Sequence, residues 1–279
     1  MLSEHASGDN KQNSQAITDY QILFIGNSHS SANGLPDLVT TLIETGLPDT
    51  TAHSGLAPGF MFLDERLNDG VTYDLLRSRA WTHVILQAQK YSSSGRYFYS
   101  TSAAQQWIKR VRAQSGRPIL FPEWPRRGNW EEGQRIHDLH LSIAARTPAC
   151  VAPIGLAWEE HIAKFPYIDL HAADGNHSNL AGALLTAYVI YEVTTGLPAS
   201  QLPYMPSINI SAQIQQSLRE VSSEVVARNQ AACPDITFVS GAGGESDAPS
   251  DPRIPTLSQW GVLVLTVSIF LLTMGRLKR

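Results

Sequence analysis

Cysteine is scarce: the 279 residues hold two, Cys150 and Cys233. Two thiols are too few for a disulfide scaffold or a metal knuckle. They form a single bridge if the chain is exported, or remain buried free thiols, and the sequence leaves both open. An excess of one charge sign is missing too. With 21 Lys and Arg against 25 Asp and Glu, no basic run points to a nucleic-acid partner. No His-x-x-Glu-His helix motif of a zinc hydrolase occurs. Residues 1–19 ("SEHASGDNKQNSQ" and its flanks) lack the apolar stretch of a signal peptide and read as a disordered leader.

What is present is alternation. A 43% hydrophobic share over this length allows one sizeable domain plus an appendage, or two small domains. Between residues 20 and 239, four apolar runs read as strands: "QILFIG", "HVILQAQ", "PILFPEW" and "CVAPIGLAW". Helical periods follow them around Pro36–Thr45, Ala103–Gln114, Trp130–Ala145 and Asn179–Thr195, and "SAQIQQSLREVSSEVVARNQ" reads as a last helix. Apolar strands separated by helices predict an α/β domain, a parallel sheet covered on both faces.

Beyond the domain, residues 240–253 ("SGAGGESDAPSDPR") have the composition of a flexible linker. Residues 254–279 follow as "IPTLSQWGVLVLTVSIFLLTMGRLKR", uncharged from Trp260 to Gly275. That length approaches the roughly 20 residues of a transmembrane helix. Arg276, Lys278 and Arg279 would stay on the cytoplasmic side. "IPTLSQWG" resembles the opening of the IPTL-CTERM sorting signal. The resemblance implies export, an exosortase-like sorting enzyme as partner, and a surface domain anchored by its C-terminal helix.

In an open parallel sheet, ligands bind beyond the carboxyl ends of the strands. The first strand ends on Gly26-Asn27-Ser28, where a glycine permits a tight turn and the Ser28 amide can serve as an oxyanion donor beside its own hydroxyl. A nucleophilic serine needs a base, and the base an orienting acid. Asp174 precedes His177 by three residues, directly before the helix near Asn179.

"FIGNSHS" and "DGNH" together resemble the opening and closing blocks of the SGNH (GDSL-like) hydrolases, and the likeness runs from about Ile22 to Leu202. "HVILQAQK" resembles a bacterial branch whose third block reads Leu-Gln-x-Gln. The resemblance implies a three-layer α/β/α fold of flavodoxin-like type. It implies a serine esterase that needs no cofactor, with Ser28 as nucleophile, His177 as base and Asp174 as acid. The oxyanion hole would use the Ser28 amide, Gly55 (Gly59 as runner-up) and the side chain of Gln89. Gln87, Trp124, Arg126 and Arg127 would line the substrate cleft, with Trp158, Glu159 and "RYFYS" (Arg96 to Ser100) as weaker candidates. The expected substrate is an ester with a short acyl group, such as O-acetyl on a carbohydrate. Two rivals remain: a metal-dependent hydrolase using His171, Asp174 and His177 with Asp169 nearby, and an inactive surface-anchored carbohydrate-binding scaffold.

Overall fold

The computed structural model describes residues 18–238. The leader up to residue 17, the linker and the apolar terminal segment lie outside the described residues. Among the described residues no helix is long and apolar enough to cross a membrane.

Five strands, β1 (Asp19–Ile25), β2 (Thr51–Leu56), β3 (His83–Leu86), β4 (Arg117–Leu120) and β5 (Cys150–Val151), pair in the order β2-β1-β3-β4-β5. Every pairing is parallel. This is the flavodoxin-like order, in which the chain switches direction around β1 and leaves a crevice at the strand ends. Seven helices connect and cover the sheet: α1 (Leu35–Gly46), α2 (Gly70–Arg77), α3 (Ser102–Ala113), α4 (Glu132–Arg146), α5 (Ile154–Lys164), α6 (Leu180–Thr195) and α7 (Ala212–Arg228).

Alternation along β1 divides the core in two. Ile22 and Phe24 face α1, α5, α6 and α7, where they join Val39, Leu42, Trp158, Leu185 and Leu218. Leu23 and Ile25 face the other side, against Leu76 of α2, Trp107 of α3 and Ile143 of α4. Both layers of a strand covered on two faces must be apolar, which is why "ILFI" carries no polar residue. Each large side chain so buried contributes roughly 1.5–3 kcal/mol. Helix α6 is buried from Gly182 through Thr194 and mostly apolar, with Thr186, Glu192 and Thr194 as buried polar exceptions, because α1, α5 and α7 surround it.

The structure departs from the sequence pattern at two strands. "CVAPIGLAW" supplies only the two-residue β5; Pro153 precedes a helix, and Ile154, Ala157 and Trp158 of α5 continue the apolar run by packing into the core. β2 ("TAHSGL") escapes detection because as an edge strand it buries only Ala52. Helix α2 is likewise unmarked by any apolar run, and begins where the Asp69 carboxylate accepts from the amides of Val71 and Thr72.

Cys150 and Cys233 are bridged, tying the start of β5 to the segment after α7 across a sequence separation of 83 residues. Closing a loop of that length stabilises by up to about 4–5 kcal/mol in the chain-entropy account. Reduction is therefore expected to lower the urea midpoint markedly; an unchanged midpoint under dithiothreitol would show that the bridge is absent in solution. Glu192 of α6, 3% exposed, accepts from Ser222 and Ser223 of α7 at 2.8 and 2.9 Å. Burial pushes its carboxyl up to about 7, the two hydroxyls pulling part of the way back. The folded state thus holds this proton more tightly than the unfolded chain, so the stability it supports is present below the ordinary carboxylate range and is lost as pH rises toward 7. Denaturation midpoints are expected to fall by the equivalent of about 3 kcal/mol over that window, and Glu192→Gln to flatten the slope.

Candidate active site

Ser28 opens a single 3-10 turn, Ser28–Ser30, just past β1. Asn27 caps it, its Oδ1 accepting from the His29 amide at 3.1 Å. Beneath the turn lies Gln87, the first residue after β3 and fully buried. Its Oε1 accepts from the Asn27 amide at 2.7 Å and the Ser30 hydroxyl at 3.0 Å, while its Nε2 donates to Glu123 Oε1 at 2.5 Å. A carboxylate only accepts, so Glu123 fixes which end of the amide faces the turn. Gly26 makes this possible through space rather than backbone freedom. A Cβ there would stand 2.3 Å from Gln87 Oε1 and 2.1 Å from Ser30 Oγ, and Gly26 is not among the glycines with positive φ. The turn-permitting role expected of it is corrected accordingly.

The other half of the site comes from the loop before α6. His171 and Ser178 pair as an antiparallel bridge, and between them Asp174 Oδ1 accepts from the amides of Asn176 and His177 at 2.9 Å each. Asp174 Oδ2 then accepts from His177 Nδ1 at 2.6 Å, and His177 Nε2 lies 2.8 Å from Ser28 Oγ. With Nδ1–H committed to a carboxylate, Nε2 is bare and accepts from the serine hydroxyl. The hydrogen bond from His177, followed by those from the two amides, holds the Asp174 carboxyl well below the usual carboxylate range. Asn33 Nδ2 donates to Ser178 O at 2.7 Å, stitching the segment after Ser28 to the loop that carries His177.

Ser28 and His177 open into a cavity of about 410 Å³ whose wall includes Phe62, Lys90, Tyr99, Glu123 and Arg126. Burial, with the Glu123 and Glu132 carboxylates close by, pushes the Tyr91 phenol on that wall well above its ordinary value.

The structure thus brings together Ser28, Asp174 and His177, and sets Arg126 on the cavity wall. Tyr99 of "RYFYS" also lies on that wall, and most of the other sequence candidates lie elsewhere. Gly55 lies inside β2, paired with Leu23, and the Trp81 ring sits 2.5 Å from where its Cβ would be. It is therefore held within the sheet, whereas Ser28 lies beyond the strand end. Gly59, with φ +78°, is nearer in the network: Arg66 Nη2 donates to its carbonyl at 2.8 Å and to that of Gly26 at 2.5 Å. Gln89 has no amide hydrogen to spare, because Nε2 donates to Lys90 O and Ser100 O. Gln87 lies under the nucleophile turn instead of lining the cleft. Trp124 is 2% exposed and donates to Asn176 O at 2.9 Å, so it braces the His177 loop and offers no stacking face to a sugar. Arg127 pairs with Asp169 at 2.8 Å.

Trp158 is core, and Glu159 accepts from the Gln134 amide, its carboxyl pushed up by burial. In "RYFYS", Tyr97 and Phe98 are exposed and only Tyr99 reaches the cavity wall. The metal set does not converge: His171 Nε2 donates to Pro125 O at 2.8 Å, and no group of three or more His, Cys, Asp or Glu fit to hold a metal ion occurs among the described residues. Sequence reasoning missed Glu123, His29, Asn33 and Arg66. The one signal for Glu123 and Gln87 was a polar residue at the end of a wholly apolar strand, which a buried sheet tolerates only where partners await it.

No family model and no curated protein sequence matches the chain. Among solved structures it is similar to a DUF4886 family protein from Bacteroides uniformis, with a TM-score of 0.61 at 16% identity, over 75% of this chain and 95% of that one. It is also similar to a candidate SGNH hydrolase from Slackia heliotrinireducens, with a TM-score of 0.50 at 24% identity, over 62% and 98%. At these identities the likeness is one of fold, a parallel α/β domain.

Proposed function

We propose that the protein is a serine esterase in which Ser28, His177 and Asp174 act as nucleophile, base and orienting acid. The observation that carries this reading is the hydrogen-bonded chain from Ser28 Oγ to His177 Nε2 at 2.8 Å and from His177 Nδ1 to Asp174 at 2.6 Å. Ser28 Oγ attacks the ester carbonyl as its proton passes to His177 Nε2; the tetrahedral adduct collapses, and the alcohol leaves with that proton. Water repeats the sequence on the acyl-enzyme, giving the acid and the free serine. The Ser28 amide is the oxyanion donor this reading assigns. Asn27 lines the cavity beside it, with its Oδ1 committed to His29.

The substrate class follows from the cavity wall. Lys90, Ser93, Glu123 and Arg126 stand among Phe62, Tyr91 and Tyr99, a mixture suited to an alcohol rich in hydroxyls with ring faces to stack. A long acyl chain would require an apolar tunnel. We therefore assign a short acyl ester of a carbohydrate, such as an O-acetyl sugar, and no cofactor. The Cys150–Cys233 bridge is in keeping with an oxidising compartment. Together with the IPTL-CTERM-like terminus it supports an exported, membrane-anchored enzyme handled by an exosortase-like partner.

A fluorophosphonate probe is expected to label Ser28 in the full chain, and the label to vanish in Ser28→Ala and His177→Ala. A folded chain that takes no label on Ser28 would overturn the assignment and favour a binding scaffold. Asp174→Asn should retain more activity than His177→Ala, since the carboxylate only orients the ring and balances its charge. Gln87→Leu strands the Asn27 amide and the Glu123 carboxylate, and should lower kcat about tenfold or more with KM little changed. Equal losses in kcat and in folded fraction by circular dichroism would reassign Gln87 to stability alone.

A further inference from the structure

His177 has a second neighbour that the hydrolytic reading does not use. The His29 ring lies against it with centroids 4.9 Å apart and planes 26° from parallel. Behind His29 stands Trp124 at 5.0 Å, then Trp158 stacked on Trp124 at 4.5 Å and 6°, then His171 edge-on to Trp158 at 5.0 Å. Five rings thus run in an unbroken column from the cavity into the layer between α5 and α6.

Each ring behind the first is pinned by a polar contact. His29 Nδ1 donates to Asn27 Oδ1 at 3.2 Å, Trp124 Nε1 to Asn176 O, Trp158 Nε1 to Thr186 Oγ1 at 3.0 Å and His171 Nε2 to Pro125 O. A Cβ on Gly182 would stand 2.4 Å from the Trp158 ring, so α6 leaves that ring no room to retreat. Asp174 and Ser28 hold the two nitrogens of His177 at its edge, but the side chain is 34% exposed and hydrogen bonds at a ring edge resist rocking of the plane only weakly. A flat neighbour against one face stiffens the ring against that rocking.

We propose that His29 is a positioning residue for His177, its ring acting as the end plate of this aromatic column and fixing the plane of the base. The inference rests on the serine-esterase reading and deepens it. His29 borders the same cavity, but in this role it neither gives nor takes the proton that His177 moves. Burial lowers its proton affinity, and His177 opposes its charge as well, against the pull of Glu123 and Asp174. The plate is thus neutral, and a neutral ring does not resist the imidazolium that forms next to it.

The test uses the full chain with 4-nitrophenyl acetate and the fluorophosphonate probe. His29→Leu fills the volume without a flat face; His29→Phe restores the face without a titrating nitrogen. His29→Leu is expected to lower kcat roughly threefold to tenfold with KM unchanged, and to slow labelling of Ser28 in parallel. His29→Phe should return both to within about twofold of the native chain. His29→Leu acting at the native rate would overturn the proposal, as would His29→Phe remaining as slow as His29→Leu, which would give the imidazole a chemical role. These results are distinct from failure of the parent reading, in which the native chain itself takes no label on Ser28 and both ideas fall.

Discussion

One side-chain oxygen, Oε1 of Gln87, holds the nucleophile turn in place, and much of the local sequence answers to it. Ile25, Leu86 and Leu120 are aligned across β1, β3 and β4. The residues that follow them at the strand ends, Asn27, Gln87 and Glu123, therefore fall next to one another, although 60 and 36 positions separate them in the chain. A buried amide cannot be left half-bonded, at a cost of roughly 1–3 kcal/mol per unpaired group. Each member consequently dictates the next. Glu123 orients the amide, the amide takes the Asn27 N–H and the Ser30 hydroxyl, and Gly26 must stay bare. A sheet order that separated β1 from β3 would dismantle the arrangement at once.

The base is held by a different part of the molecule. Asp174 and His177 sit on a loop pinned at one end by the His171–Ser178 bridge and at the other by Asn179, which caps α6 by accepting from the amides of Ala181 and Gly182. The aromatic column carries the restraint onward to α5 and α6. Ser28 and His177 therefore belong to separate supports, a polar network at the sheet ends and an apolar layer of helices. Asn33 is a direct strut between them, bonded to Ser178 O. That division explains how a hydrogen bond spanning 149 residues, Ser28 to His177, can be short without either partner being deeply enclosed.

The parts of this architecture that a linear pattern can carry were legible in the sequence. β1 declared itself because burial on both faces demands uninterrupted apolar residues, α6 because burial on all sides leaves it mostly apolar, and α1, α3, α4 and α7 because burial on one side demands a helical period. Ser28, Asp174 and His177 were legible because strand end and Asp-x-x-His spacing are local features. What failed was anything that depends on register. Gly55 looked like the glycine of an oxyanion loop, but its pairing with Leu23 keeps it inside the sheet. Gln89 seemed the equivalent of a side-chain donor, yet the backbone after β3 turns it toward the carbonyls of Lys90 and Ser100. Of the two glutamines in "LQAQ", the nearer to the strand took the structural task. No local rule distinguishes them, because the distinction lies in Glu123 and Gly26.

The same logic separates what is constrained from what is free to specify substrate. Asn27, Ser30, Gln87 and Glu123 answer to one another, so a change at Gln87 or Glu123 propagates through the turn that carries Ser28. The opposite wall answers to little. Phe60 and Phe98 are 75% and 99% exposed, and Tyr97 is 70% exposed, on segments running beside wall residues Phe62 and Tyr99. Lys90 is occupied with Asp64 and Glu65 at the surface, where such pairs contribute little to stability. Loops of this kind exchange residues at low energetic cost, whereas the sheet-end network cannot. On the proposed esterase reading, the choice of alcohol and acyl group falls to residues 58–65 and 90–100, set against Ser28 and His177, whose mutual geometry the fold has already fixed.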